Sequence, residues 1–282
     1  MTSIIQTGVA VWCLVCSLSN HATADGKLPF DKNEALTALK SSKDALYLQR
    51  MAIRLIESND AVVLSRVVDF LCDPEFLGRL EPKNDSESFE RQRIQQVLAA
   101  VGKLGTTEAE AILLKMAQHA TYQDDSLRMR SLISATAGIK KPSKRLIDFL
   151  NAQIDANEGK ILTSVVFIFL HQAQPETFAE VEKRFLSPDL HLESKLAWIS
   201  FMLLRRHNPA MLLFWEKLLK ADKLELAVRD RLVQALFDYR ESWYVGRVDV
   251  PDRRDAPSDV LRELHQLADL SLKLDVPAET KA

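Results

Sequence analysis

Three prolines, Pro142, Pro175 and Pro209, recur about every 34 residues, each between two apolar stretches of helical periodicity. Proline is accommodated in the first turn of a helix, where the N–H that it lacks would have no intrahelical acceptor. Each of these residues is therefore expected to open the second helix of a hairpin. A unit of this length, built as a helix pair, cannot cover its own apolar face, and successive units must lie against one another. The spacing predicts an all-α fold, a stacked α-solenoid of about six helix pairs. It constrains function much less, because such a scaffold carries many unrelated activities.

Apolar residues at three- and four-residue intervals mark the hairpins. Leu48, Ala52 and Leu55 share one face of a first helix and Val63, Val67, Phe70 and Leu71 one face of a second, with Ser58, Asn59 and Asp60 as turn and cap. In the second hairpin Ile94, Val97, Leu98 and Val101 are followed by Ala109, Ile112, Leu113 and Met116, and Thr107 with Glu110 has capping-box form. In the third, Met129, Leu132 and Ile133 precede Gly138, and Pro142 is expected to begin a helix bearing Ile147, Leu150 and Ile154. The fourth turns at Pro175 and the fifth at Asn208 and Pro209, with Asn208 as cap. A sixth begins at Asp222; its second helix is expected to open at Pro257, after an inserted loop at 241–256. Residues 25–42 read as a polar linker, 73–87 as a loop with a short turn of helix, and 274–282 as a flexible tail, so the repeat region spans 43–273. The runs 165–170 and 197–204 are apolar nearly all round, which requires cover on several sides and places them in the middle of the stack.

The stretch Val97-Leu98-Ala99-Ala100-Val101-Gly102-Lys103-Leu104-Gly105-Thr106-Thr107-Glu108-Ala109 resembles a HEAT-type repeat: a small-residue first helix, a Gly-Lys-Leu-Gly turn, then a second helix. The likeness is one of pattern and is strongest in the second and third units. The fourth and fifth replace the turn glycines by His171-Gln172-Ala173-Gln174 and Arg205-Arg206-His207-Asn208. Resemblance to the armadillo/HEAT-type proteins implies a right-handed α-α superhelix and a binding scaffold; it transfers no catalytic residue.

With 37 basic and 39 acidic side chains among 282 residues the net charge is -2, which gives no whole-chain attraction for nucleic acid, and no nucleic-acid partner is expected. Residues 1–24 hold no Asp, Glu, Lys or Arg; 4–18 are mostly apolar, and Ala22-Thr23-Ala24 supplies the small residues of a signal-peptidase site. The expectation is a signal peptide cleaved after Ala24 and export to the periplasm or the extracellular space. The alternative is that residues 4–18 are retained as a membrane anchor of an envelope scaffold, although the run is shorter than the roughly 20 residues of a comfortable span. A membrane is a partner only in that case. Cys13 and Cys16 lie in this segment, so Cys72 stands alone in the mature chain and reads as a small buried hydrophobe.

The six histidines form no H-E-x-x-H or H-x-H pattern, and there is no G-x-S-x-G elbow, G-x-G-x-x-G loop or G-K-S/T phosphate cradle. No metal, no cofactor and no enzymatic activity is expected. Two features stand above this background. Lys103, Lys140, Lys141, Arg205 and Arg206 occupy equivalent turns, and stacking aligns them along one edge as an anion-binding stripe. Such a stripe suits a binder of, or an enzyme acting on, a phosphate- or carboxylate-bearing polymer. The competing reading is that cations at helix C-termini complement the helix dipole, by about 0.3 to 1 kcal/mol each. The second feature is the 241–256 insertion, where Trp243 and Tyr244 sit among Arg240, Arg247, Arg253 and Arg254. These residue types dominate binding hot spots, and a loop this long is a functional candidate. The competing reading folds the aromatics back over the end of the last repeats. The chain is expected to bind another protein through its concave face or through this insertion.

Overall fold

The computed structural model describes residues 30–81, 87–157, 159, 161–204 and 209–245, together with 269 and 273; at 87–92, 203–204, 209 and 236–245 it describes the backbone alone. Every regular element among these residues is a helix. The first, α1 (Lys32–Ser41), lies in the stretch expected as a polar linker. Its charged residues dominate the composition, but Ala35, Leu36 and Leu39 fall at helical spacing and are buried. Asp31 caps it by accepting from the Asn33 and Glu34 N–H groups at 2.8 and 3.2 Å. Its C-terminal carbonyls are collected by one guanidinium: Arg79 donates to Leu39, Lys40 and Ser42 at 2.9, 3.1 and 2.8 Å.

The first hairpin is α2 (Ala45–Glu57) and α3 (Ala61–Cys72), joined as expected at Ser58, Asn59 and Asp60. The Asp60 carboxylate accepts from the Val62 and Val63 N–H groups and from Lys32 Nζ, at 3.0, 3.2 and 2.9 Å. The Lys32 hydrogen bond, and after it that of Val63, hold its carboxyl below the usual aspartate range. A short helix α4 (Pro74–Leu80) follows, with Pro74 in its first turn. Cys72 is half-buried against the core, less enclosed than the sequence suggests, and burial pushes its thiol pKa up.

The second hairpin is α5 (Glu87–Lys103) and α6 (Thr107–Ala117). Thr106, one residue earlier than the capping box predicts, caps α6, its hydroxyl oxygen accepting from the Ala109 N–H at 3.1 Å. Glu110 is turned away from its own helix end. It is buried, and it accepts from the N–H of Ser143 at 2.9 Å and from the Ser143 hydroxyl. After the single turn α7 (Ala120–Gln123), the third hairpin comprises α8 (Ser126–Ala135), a 3-10 turn at Thr136–Gly138, and α9 (Lys144–Ala156). Here Pro142 precedes the cap instead of opening the helix, because Ser143 caps α9 through its side chain and also bonds Glu110. The fourth hairpin is α10 (Leu162–Gln172) and α11 (Pro175–Phe185), and the fifth α12 (Leu192–Leu204) and α13 (Pro209–Leu219). Pro175 and Pro209 take the first helical position, as predicted; Asn208 lies outside the described residues. The last, α14 (Leu226–Val245), begins after Glu225, not at Asp222, and runs 20 residues.

The first helices of the five hairpins, α2, α5, α8, α10 and α12, and then α14, touch one another in that order. The C-terminal ends of α5, α8 and α10 lie together. Gln49 of α2 bonds Gln96 of α5, and Gln172 at the end of α10 donates to the Thr136 carbonyl just after α8, at 3.0 Å. The rings of Phe167 and Phe201 stack between α10 and α12 with centroids 4.2 Å apart. The ends of α5 and α8 approach so closely that a Cβ on Gly102 would lie 1.9 Å from the Ala135 carbonyl oxygen. The second helices are linked in series as well. Glu110 bonds Ser143, Arg184 donates to Asn151 at 2.6 Å, and Lys217 pairs with Glu182 at 2.6 Å, while Phe178 and Phe214 stack at 4.4 Å. Connectors are tied too: fully buried Lys195 donates to the Ser187 carbonyl at 2.7 Å and pairs with Glu225. In the middle of the series, Val165, Val166, Phe167, Ile168, Phe169 and Leu170 are all buried, so α10 is covered on every side.

Candidate functional site

The third hairpin leaves space between its helices. The members of the first, second and fourth pairs are in close backbone contact, whereas α8 and α9 are less closely apposed. The fifth pair is also less closely apposed, but it carries two fully buried indoles, Trp198 and Trp215. The third has no tryptophan, and between α8 and α9 a groove of about 410 Å³ opens.

Helical spacing sets its walls. Ser126, Met129, Arg130 and Ile133 face it from α8, and Phe149, Gln153 and Ala156 from α9. Ile161 and the region of α7, through Gln118 and Gln123, close the side toward the connectors. The α7 wall is held from behind. Thr121 and Tyr122 donate through their hydroxyls to the Cys72 and Leu71 carbonyls, both at 2.9 Å, and so satisfy the end of α3. Tyr122 is fully buried, which raises its pKa well above the usual phenol range.

Met129, Ile133 and Phe149 give the groove an apolar floor, and among the described residues no carboxylate lines it. Two arginines of α8 differ in employment. Arg128 is paired with Asp125 and Glu81 at 3.4 and 3.6 Å, while Arg130 has no partner among the described residues. The carboxamides of Gln118, Gln123 and Gln153 likewise have no protein partner there. Among the described residues the arrangement combines an apolar floor, one arginine without a partner and three amides able to donate and accept.

Three of the five cations expected along one edge are among the described residues. Lys103 ends α5, and Lys140 and Lys141 follow the 3-10 turn; all three are exposed. Because α5 and α8 end side by side, a Cβ on Gly105 would stand 3.7 Å from Cγ of Lys140, so these lysines share adjacent turns. On the next turn Gln172 points inward to the Thr136 carbonyl. Arg205 and Arg206 lie outside the described residues. In the expected insertion the backbone stays helical through Val245, so Trp243 and Tyr244, with Arg240 just before, belong to α14 and not to a loop. Their side chains, and Arg247, Arg253 and Arg254 altogether, are outside the described residues.

No family model matches the chain, and neither does any curated protein or solved structure. Among the described residues no group of three His, Cys, Asp or Glu side chains is placed to hold a metal, and no helix is long and apolar enough to cross a membrane. The groove itself has no motif in the sequence. Its apolar residues carry the same periodicity as core positions, and only the spacing of the two helices separates the two roles.

Proposed function

We propose that the chain is an exported, non-catalytic HEAT-like scaffold, a right-handed α-α superhelix of about six helix pairs, that binds another protein through its concave face or its 241–256 segment. The observation that supports this reading is the serial order of contacts. First helices meet first helices and second helices are bonded to second helices, pair after pair, through Glu110 to Ser143, Asn151 to Arg184 and Glu182 to Lys217. A surface assembled in this way is preformed, so little conformational entropy is lost when a partner docks.

The test is affinity capture from the native cell envelope with the full chain and with a Trp243→Ala, Tyr244→Ala double variant. The variant is expected to keep its helical content and melting temperature and to lose the partner. A collapse in stability would instead assign the aromatic pair to covering the end of the stack. Capture that fades with added salt and with Lys140→Glu and Lys141→Glu would favour an anionic ligand on the lysine edge, where Lys103, Lys140 and Lys141 stand exposed on adjacent turns.

A further inference from the structure

We propose that the groove between α8 and α9 receives a short extended segment of the partner, which inserts one apolar side chain between the helices and sets a neighbouring carboxylate on Arg130. This rests on the protein-binding reading and gives it a site. The groove, about 410 Å³, is of a size for a side chain with its adjoining peptide groups, and far too small for a folded surface. Met129 of α8 and Phe149 of α9, both half-buried, give the inserted side chain apolar contact on both helices, with buried Ile133 and Ile161 behind them.

Charge complementarity selects the neighbour. Among the described residues the lining holds one arginine and no acidic residue, and while Arg128 is committed to Asp125 and Glu81, the Arg130 guanidinium has no partner there. The carboxamides select a peptide over a hydrocarbon chain. A peptide group offers one donor and one acceptor, which is what Gln118, Gln123 and Gln153 can answer, whereas a fatty acid would desolvate those amides without pairing them. Leu127, 41% exposed in the first turn of α8, extends the apolar surface beside the groove for the flanking residues of the segment.

The probe is a set of peptides selected from a random displayed library on the full chain, then labelled and titrated by fluorescence anisotropy against the wild type, Arg130→Glu and Ala156→Trp. Arg130 and Ala156 are both exposed, so neither change touches the core, and circular dichroism verifies the fold of each variant. The selected peptides should share an apolar residue next to Asp or Glu, and each variant should weaken binding by about tenfold or more. Replacing the peptide's acidic residue by its amide should weaken binding to the wild type and strengthen binding to Arg130→Glu, where it removes a like-charge repulsion. The proposal is overturned if no peptide is selected, if the selected peptides bind both variants as tightly as the wild type, or if dodecanoate binds in their stead. It is also overturned, with the scaffold reading left standing, if a partner captured from native cells survives both groove variants and is lost only with Trp243→Ala and Tyr244→Ala.

Discussion

The hydroxyl of Tyr122 reaches the Leu71 carbonyl at 2.9 Å from a fully buried ring, and so closes the end of a helix 51 residues earlier in the chain. Burial disfavours the phenolate, so the folded-state pKa is raised above the value of about 10 in the unfolded chain. The stabilisation is complete below pH 10 and is lost above it, as the unfolded chain releases a proton that the folded chain holds. Stability measured by denaturant titration should be level from pH 7 to about 9 and then fall, by up to roughly 1.4 kcal/mol per pH unit from this one group. Tyr122→Phe should cost about 1 kcal/mol at neutral pH through the lost hydrogen bond, and should flatten the alkaline decline. An equally steep decline in the variant would show that other groups govern it. The sequence marks Tyr122 as no more than one of four tyrosines. Its role depends on the return of α7 to the end of α3, which no local pattern encodes.

Between elements, glycine permits the close approach of α5 to the end of α8. Gly102 near the end of α5 lies against Ala135, and a Cβ on Gly138 would stand 2.4 Å from the backbone of Gly102. Two effects compete when alanine is introduced. Helix propensity favours Ala over Gly by about 1 kcal/mol, whereas forcing two packed backbones apart costs about 1 to 3 kcal/mol. At Gly102 the second should win, because the obstructing atom is a carbonyl oxygen and not a mobile side-chain end. Gly78 in α4 is the control, since a Cβ there meets nothing within 4 Å. Thermal unfolding should therefore show Gly102→Ala destabilised and Gly78→Ala unchanged or slightly stabilised; the same sign at both positions would mean that backbone contact does not set the spacing of α5 and α8. The Gly-Lys-Leu-Gly turn was readable as the end of a helix, but the second glycine pairing, Gly102 with Gly138, is a property of two elements placed side by side.

For the whole molecule, serial stacking predicts an order of local stability. With its middle turns buried, α10 touches α8, α9, α11 and α12, while among the described residues α1 and α14 have neighbours on fewer sides. In a repeat stack the interfaces with neighbours supply most of the stability of each unit. Native-state hydrogen exchange should then be slowest in α10, with α8 and α12 next, and fastest in α1 and α14; slowest exchange in a terminal helix would contradict the stack. By itself the sequence determined the all-helical class, the positions of five hairpins among the described residues, and the entry of proline into helices at Pro175 and Pro209; the helix expected at Pro257 lies outside the described residues. Those features follow from caps, proline geometry and apolar spacing within about 20 residues, all local in origin. It misread residues 32–41, where three buried apolar positions are outnumbered by polar ones, and it placed the start of the insertion inside what is the continuous helix α14. Tertiary structure alone decided that Glu110 caps the next hairpin, that Arg128 is engaged and Arg130 is not, and that α8 and α9 part to leave a groove. Each of these turns on the distance between residues remote in sequence, and periodicity fixes which way a side chain faces without fixing what stands opposite it.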